Sequence, residues 1–64
     1  MENKLKEYRQ KENISLRELA RISQVSVSTI SEIEAGKHIP RIDTALMIAT
    51  ALGCKVEELF FLER

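Results

Sequence analysis

Five short helices packed as one all-α domain are what this sequence predicts, and three observations predict it. Leu, Ile and Ala recur at three- and four-residue spacing along most of the chain, the period of a helix that buries one face. Ser15 and Ser26 stand just before two periodic runs as capping hydroxyls, and Gly36 and Gly53 stand where two runs end. Aromatic residues are few (Tyr8, Phe60 and Phe61), and with 44% of its 64 residues hydrophobic the chain can bury one compact core. Residues 1–64 therefore form a single domain, too small for an enzyme with a deep cleft.

The first helix, residues 3–11, places Leu5, Tyr8 and Arg9 on one face, carries charge on the others, and ends near Asn13. Ser15 followed three residues later by Glu18 has the form of a capping box, so the second helix begins at Leu16. Its inner face is Leu16, Leu19, Ala20 and Ser23, and the pattern fails at Gln24-Val25. Ser26 opens the third helix, which runs to about Ala35, where Gly36 suits a left-handed residue past the helix end. A loop from Lys37 to Pro40 leads to the fourth helix, residues 42–52. There apolar side chains fall at 42, 45, 46, 48, 49 and 52, Asp43 faces the positive end of the helix dipole, and Gly53 closes the run.

The last segment, residues 56–62, has Glu57 and Glu58 near its start and then Leu59, Phe60, Phe61 and Leu62. Four consecutive apolar residues cannot all face one core from a helix. Either the chain turns at Phe60 or some of these side chains meet another molecule. Their excess over what a small bundle can bury makes Phe60, Phe61 and Leu62 the expected dimer surface.

Formal net charge is zero, which argues against indiscriminate binding to a polyanion. The average hides an asymmetry: Lys and Arg outnumber Asp and Glu up to Arg41, and the balance reverses after it. The single cysteine, Cys54, cannot form an internal disulfide, the charged start is unlike a signal peptide, and no apolar run reaches the roughly 20 residues that span a bilayer. A reduced cytoplasm is the expected setting, with no membrane. One His and one Cys do not make a metal site, and Ser28, Thr29 and Ser31 have no base beside them, so neither metal, cofactor nor catalysis is expected.

Two helices that cross steeply need a small residue at the approach, which Ala20 supplies, with Val25 in the turn and Ile30 as the apolar anchor opposite. In order, LRELARIS, VSVSTISEIEAGK, a proline, ALMIATALG and VEELF resemble the helix-turn-helix domains of phage repressors and Cro, the Xre-like regulators. The resemblance covers nearly the whole chain, with the helix-turn-helix proper at residues 16–35. It implies a lambda-repressor-like fold that binds double-stranded DNA, most often as a prokaryotic or phage repressor acting as a homodimer on a palindromic operator.

Carried over by position, the resemblance puts the third helix in the major groove, with Val27, Ser28 and Glu32 at base edges and Thr29 and Ser31 flanking them at phosphate or base. Ser15, Arg17, Lys37, His38 and Arg41 would contact phosphates. It also implies that Glu34 pairs with Arg9 inside the fold. Five positions depart from the commoner pattern: Leu16 stands where Gln is frequent, Gln24 where Gly is, and Val27, Glu32 and Ala35 where Arg, Lys or a polar residue is. These departures, with zero net charge and the Phe60-Phe61 pair, leave a second expectation open. The domain would then hold a protein partner, as an antitoxin or anti-regulator does, and bind DNA weakly.

Overall fold

The computed structural model describes residues 2–62. A short strand β1 (Glu2–Asn3) precedes helices α1 (Leu5–Lys11), α2 (Leu16–Ser23), α3 (Val27–Glu34), α4 (Ile42–Leu52) and α5 (Val56–Leu59), and strand β2 (Phe60–Phe61) follows. The five helices surround one core in which Leu5, Leu19, Ile30, Ile48 and Leu59 are fully buried, one residue from each. Ile33, Ala45, Ala49, Leu52 and Phe60 complete it. Every helix thus contributes its apolar stripe to the same interior, which is how so short a chain closes a core.

Four helices end in the same way. Asn13, Gln24, Gly36 and Gly53 have φ of 57°, 61°, 77° and 70°, the left-handed region. After each of them the next amide turns back to a carbonyl five residues earlier: Ile14 to Arg9, Val25 to Ala20, Lys37 to Glu32 and Cys54 to Ala49. This is the Schellman closure, and three of the residues it delivers, Ile14, Val25 and Cys54, pack onto the core. The stop signal of one helix is therefore also the first contact of the next segment. Gly36 and Gly53 adopt the conformation without strain, whereas Asn13 and Gln24 carry a Cβ into it.

The helix starts differ in one respect from expectation. Ser15 Oγ accepts from the Glu18 amide at 3.1 Å, but the Glu18 carboxylate turns away to accept from the Arg21 guanidinium. The reciprocal half of the capping box is thus given up to an exposed ion pair, whose hydrogen bond holds the Glu18 carboxyl below its ordinary pKa. Ser26 caps α3 through the Thr29 amide at 3.2 Å and also donates to the Thr29 hydroxyl at 2.8 Å.

The two chain ends correct the helical expectation. Residue 3 is not helical: Asn3 pairs with Phe60 and Glu2 with Phe61 in an antiparallel two-stranded ladder, extended by the Lys4 amide donating to the Leu59 carbonyl at 2.8 Å. The chain turns at Phe60, and the alternation of a strand separates the apolar run. Phe60 goes into the core at 8% exposure, while Phe61 faces outward beneath the Lys4 ammonium, 6.0 Å from the ring centroid. Phe60 is accordingly a core residue and not part of an exposed dimer surface; Leu62 is exposed.

The left-handed Gln24 supplies a direct test. Gln24→Gly removes the steric cost at the turn and should raise stability by about 0.5–1 kcal/mol, the gain offset in part by a more flexible unfolded chain. The midpoint of urea unfolding reads this directly, and a lower midpoint would contradict the assigned conformation.

Candidate nucleic-acid interface

α3 has two faces. Ile30 and Ile33 point into the core, and Ser28, Ser31, Glu32 and Ala35 form the opposite stripe, all exposed. Val27 sits at the N-terminal edge of that stripe, 40% exposed, and Thr29 is half buried because its hydroxyl is held by Ser26. The outward surface is thus small, with two hydroxyls, two apolar groups and one carboxylate. It carries no cation, so base-edge chemistry and not charge attraction is what it can offer. Val27 can touch a thymine methyl, Ser28 can donate or accept, and Glu32 can accept from a cytosine amino group.

Basic side chains precede and follow α3 along the chain. On one side α2 begins at Ser15, whose side chain satisfies the Glu18 amide and leaves the preceding helix amides directed outward, with Arg17 exposed beside them. Arg21, one helical turn after Arg17, is exposed but has its charge paired with Glu18. On the other side, Lys37, His38 and Arg41 are exposed in the loop between α3 and α4. Arg41 Nε lies 3.5 Å from Asp43, a loose pair between exposed side chains that a phosphate can displace.

The C-terminal end of α3 is fixed from behind by two side chains of the first nine residues. Arg9 Nε donates to Glu34 Oε2 at 2.7 Å and its Nη2 to Oε1 at 3.3 Å, while Nη1 donates to the Ile14 carbonyl at 2.9 Å. Both side chains are nearly buried, at 13% and 11% exposure. Asn3 adds a second tie that was not anticipated: its Nδ2 donates to the Ile33 carbonyl at 2.9 Å and its Oδ1 accepts from the Leu5 amide at 3.1 Å. Asn3 thereby caps α1 and holds α3 with the same amide group. Glu34 is directed inward, so Glu32 is the carboxylate that α3 presents.

Cys54 is half buried, and burial, with Glu58 and Glu12 nearby, raises its thiol pKa, so it is a poor nucleophile at neutral pH. Among the described residues no group of His, Cys, Asp or Glu is arranged to hold a metal ion, and no helix is long and apolar enough to cross a membrane.

Two short capped helices in contact, the second anchored by Ile30 and Ile33 with its opposite face exposed, are the arrangement of a helix-turn-helix protein of the DNA-binding regulator class. Residues 5–59 match the helix-turn-helix family, and the chain belongs to that family. An HTH-type transcriptional regulator of Methanocaldococcus jannaschii is 43% identical over 63 residues, 98% of this chain and 96% of that protein. A second, from Bacillus subtilis, is 36% identical with the same coverage. Among solved structures, the restriction-modification controller protein C.AhdI of Aeromonas hydrophila superimposes with a TM-score of 0.84 at 32% identity, over 89% of this chain and 86% of that one.

The buried pair predicts a stability effect. Arg9→Met leaves Glu34 and the Ile14 carbonyl without their donor and should cost about 2–4 kcal/mol, or roughly 10–20 °C in melting temperature. The paired replacement Arg9→Met/Glu34→Leu should recover most of the loss, because no unpaired charge then remains inside. Thermal melting followed by circular dichroism checks both; an unchanged midpoint in Arg9→Met would exclude the pair as a structural element.

Proposed function

We propose that the protein is a sequence-specific transcriptional repressor that binds a palindromic operator as a homodimer. The observation that carries this is the exposed, cation-free face of α3 at Val27, Ser28 and Glu32, followed directly by an exposed loop that holds Lys37 and Arg41. Such a surface reads bases with the helix and holds the backbone with Ser15, Arg17, Lys37, His38 and Arg41, as phosphate contacts position a protein and base contacts specify sequence. Thr29, tied to Ser26, supports the helix start, and Ser31 is free to reach phosphate or base at the groove edge.

A homodimer is required by magnitude. Three modest base contacts on a chain of zero net charge fall short of the specific affinities of about 10⁻⁸ to 10⁻¹¹ M that regulators reach. Two copies whose α3 helices are about 34 Å apart read successive major grooves, and the second contact becomes intramolecular. A helix-turn-helix chain that instead used the exposed Glu32 face to hold a protein would need no cationic loop at residues 37–41.

Selection from random DNA by the purified protein is the decisive experiment and should enrich an inverted repeat with half-sites one helical turn apart. Absence of any motif at low salt would favour the protein-binding alternative. On the selected site, Lys37→Ala should weaken binding to all sequences alike and lower the salt slope by about 1. Glu32→Gln should instead shift the preferred base at one position from cytosine toward adenine, since an amide donates as well as accepts. Titrations at several salt concentrations on wild-type and substituted operators separate the two effects.

A further inference from the structure

We infer, on the DNA-binding reading above, that Asn3 is a positioning residue for the cationic loop: it fixes the direction in which the chain leaves α3 and so where Lys37 stands. The carbonyl of Ile33 is the point at which it acts. That oxygen accepts from the Gly36 amide at 3.0 Å and from Asn3 Nδ2 at 2.9 Å, so both of its lone pairs are used. One residue on, the Lys37 amide donates to the Glu32 carbonyl at 2.9 Å and completes the closure. α3 has no basic residue in its last turn, so its terminal carbonyls take their donors from the closure and from Asn3.

Beyond Lys37 the loop is held loosely. Among the described residues, the amides of His38, Ile39 and Arg41 donate to no other backbone group, and the next anchor is the Arg41 carbonyl, which accepts from the Ala45 amide at 2.9 Å. The placement of Lys37 therefore depends on the geometry of residues 33–36, where Gly36, at φ 77°, has no side chain with which to hold it. Asn3 is itself well held. Its Oδ1 accepts from the Leu5 amide at 3.1 Å, and its backbone pairs with that of Phe60, a core residue, in the β1–β2 ladder. A side chain already fixed in this way has little freedom to lose when it grips Ile33, which is what a positioning group requires. Arg9 holds the neighbouring Glu34 by its side chain, whereas Asn3 holds the main chain, and the main chain is what continues into the loop. Loss of the tie lowers the fraction of molecules whose loop is set for phosphate contact, and apparent affinity falls by the same factor. One neutral hydrogen bond corresponds to a change of up to about 10-fold.

A double-mutant cycle on the DNA site that the parent chain selects tests this role, at a temperature where circular dichroism shows every variant folded. Asn3→Ala should weaken binding about 5- to 10-fold and leave the preferred base sequence unchanged. In the Lys37→Ala background the same change should cost less than about 2-fold, whereas in the Arg17→Ala background it should cost its full amount. A merely structural role would add equally in both. Asn3→Asp keeps the acceptor for the Leu5 amide and removes the donor to Ile33. In the free protein, amide exchange at Gly36 and Lys37 should then quicken about 5- to 10-fold while that at Leu5 stays as in the parent. Equal losses in the two backgrounds, or unchanged exchange at Gly36 and Lys37, would overturn the role of Asn3 and leave the regulator standing. If the parent selects no DNA site, both fall together.

Discussion

The hydrogen-bonded ion pair between Arg9 and Glu34 is the constraint on which the rest of this small structure depends. One guanidinium joins three segments: α1, which carries it, the turn before α2 through the Ile14 carbonyl, and the end of α3 through the carboxylate. Ile30 and Ile33 alone would fix the depth of α3 against the core but would leave its rotation to packing. A bidentate contact of fixed geometry removes that freedom. Because α3 is only two turns long, its rotation decides which residues face outward, so the pair sets its exposed face from behind.

The same economy governs the helix ends. Helices of four to eleven residues have little intrinsic stability in water, and their unsatisfied terminal groups are a large fraction of their backbone. Four closures at left-handed residues answer this by returning the chain onto the core at once. The β1–β2 ladder acts similarly, satisfying amides and carbonyls on either side of the helices. Asn3 then links that ladder to the carbonyl of Ile33, so β1, β2 and α3 share one set of contacts.

Neutral net charge is compatible with a polyanionic partner because the charges are zoned. The carboxylate of Glu34 is paired inside and that of Glu18 is tied to Arg21, while Lys37, His38 and Arg41 stand exposed in one loop. Affinity for phosphate depends on local cations and not on the sum over the chain. The apolar outward side of α4 is zoned as well, with Ile42, Leu46 and Met47 exposed on it.

Much of this was legible in the sequence because it depends on local chemistry. Capping serines at 15 and 26, the glycines at 36 and 53 and the periodicity of residues 42–52 are each written within a few residues of where they act. So is the helix-turn-helix itself, whose spacing of Ala20, Val25 and Ile30 is a local packing code. What the sequence could not express were contacts between distant segments. Asn3 found a carbonyl thirty residues away, and Phe60 and Phe61 found strand partners in Asn3 and Glu2. The run Leu59 to Leu62 reads equally as helix or tail until β1 arrives to pair with it. The sequence by itself determined which segments are helical, where they stop and which family pattern they follow, since propensity and periodicity are properties of neighbours along the chain. Only the tertiary structure decided that Phe60 is core, that Phe61 lies under Lys4 and that α4 keeps an apolar face in water, because burial is a property of neighbours in space.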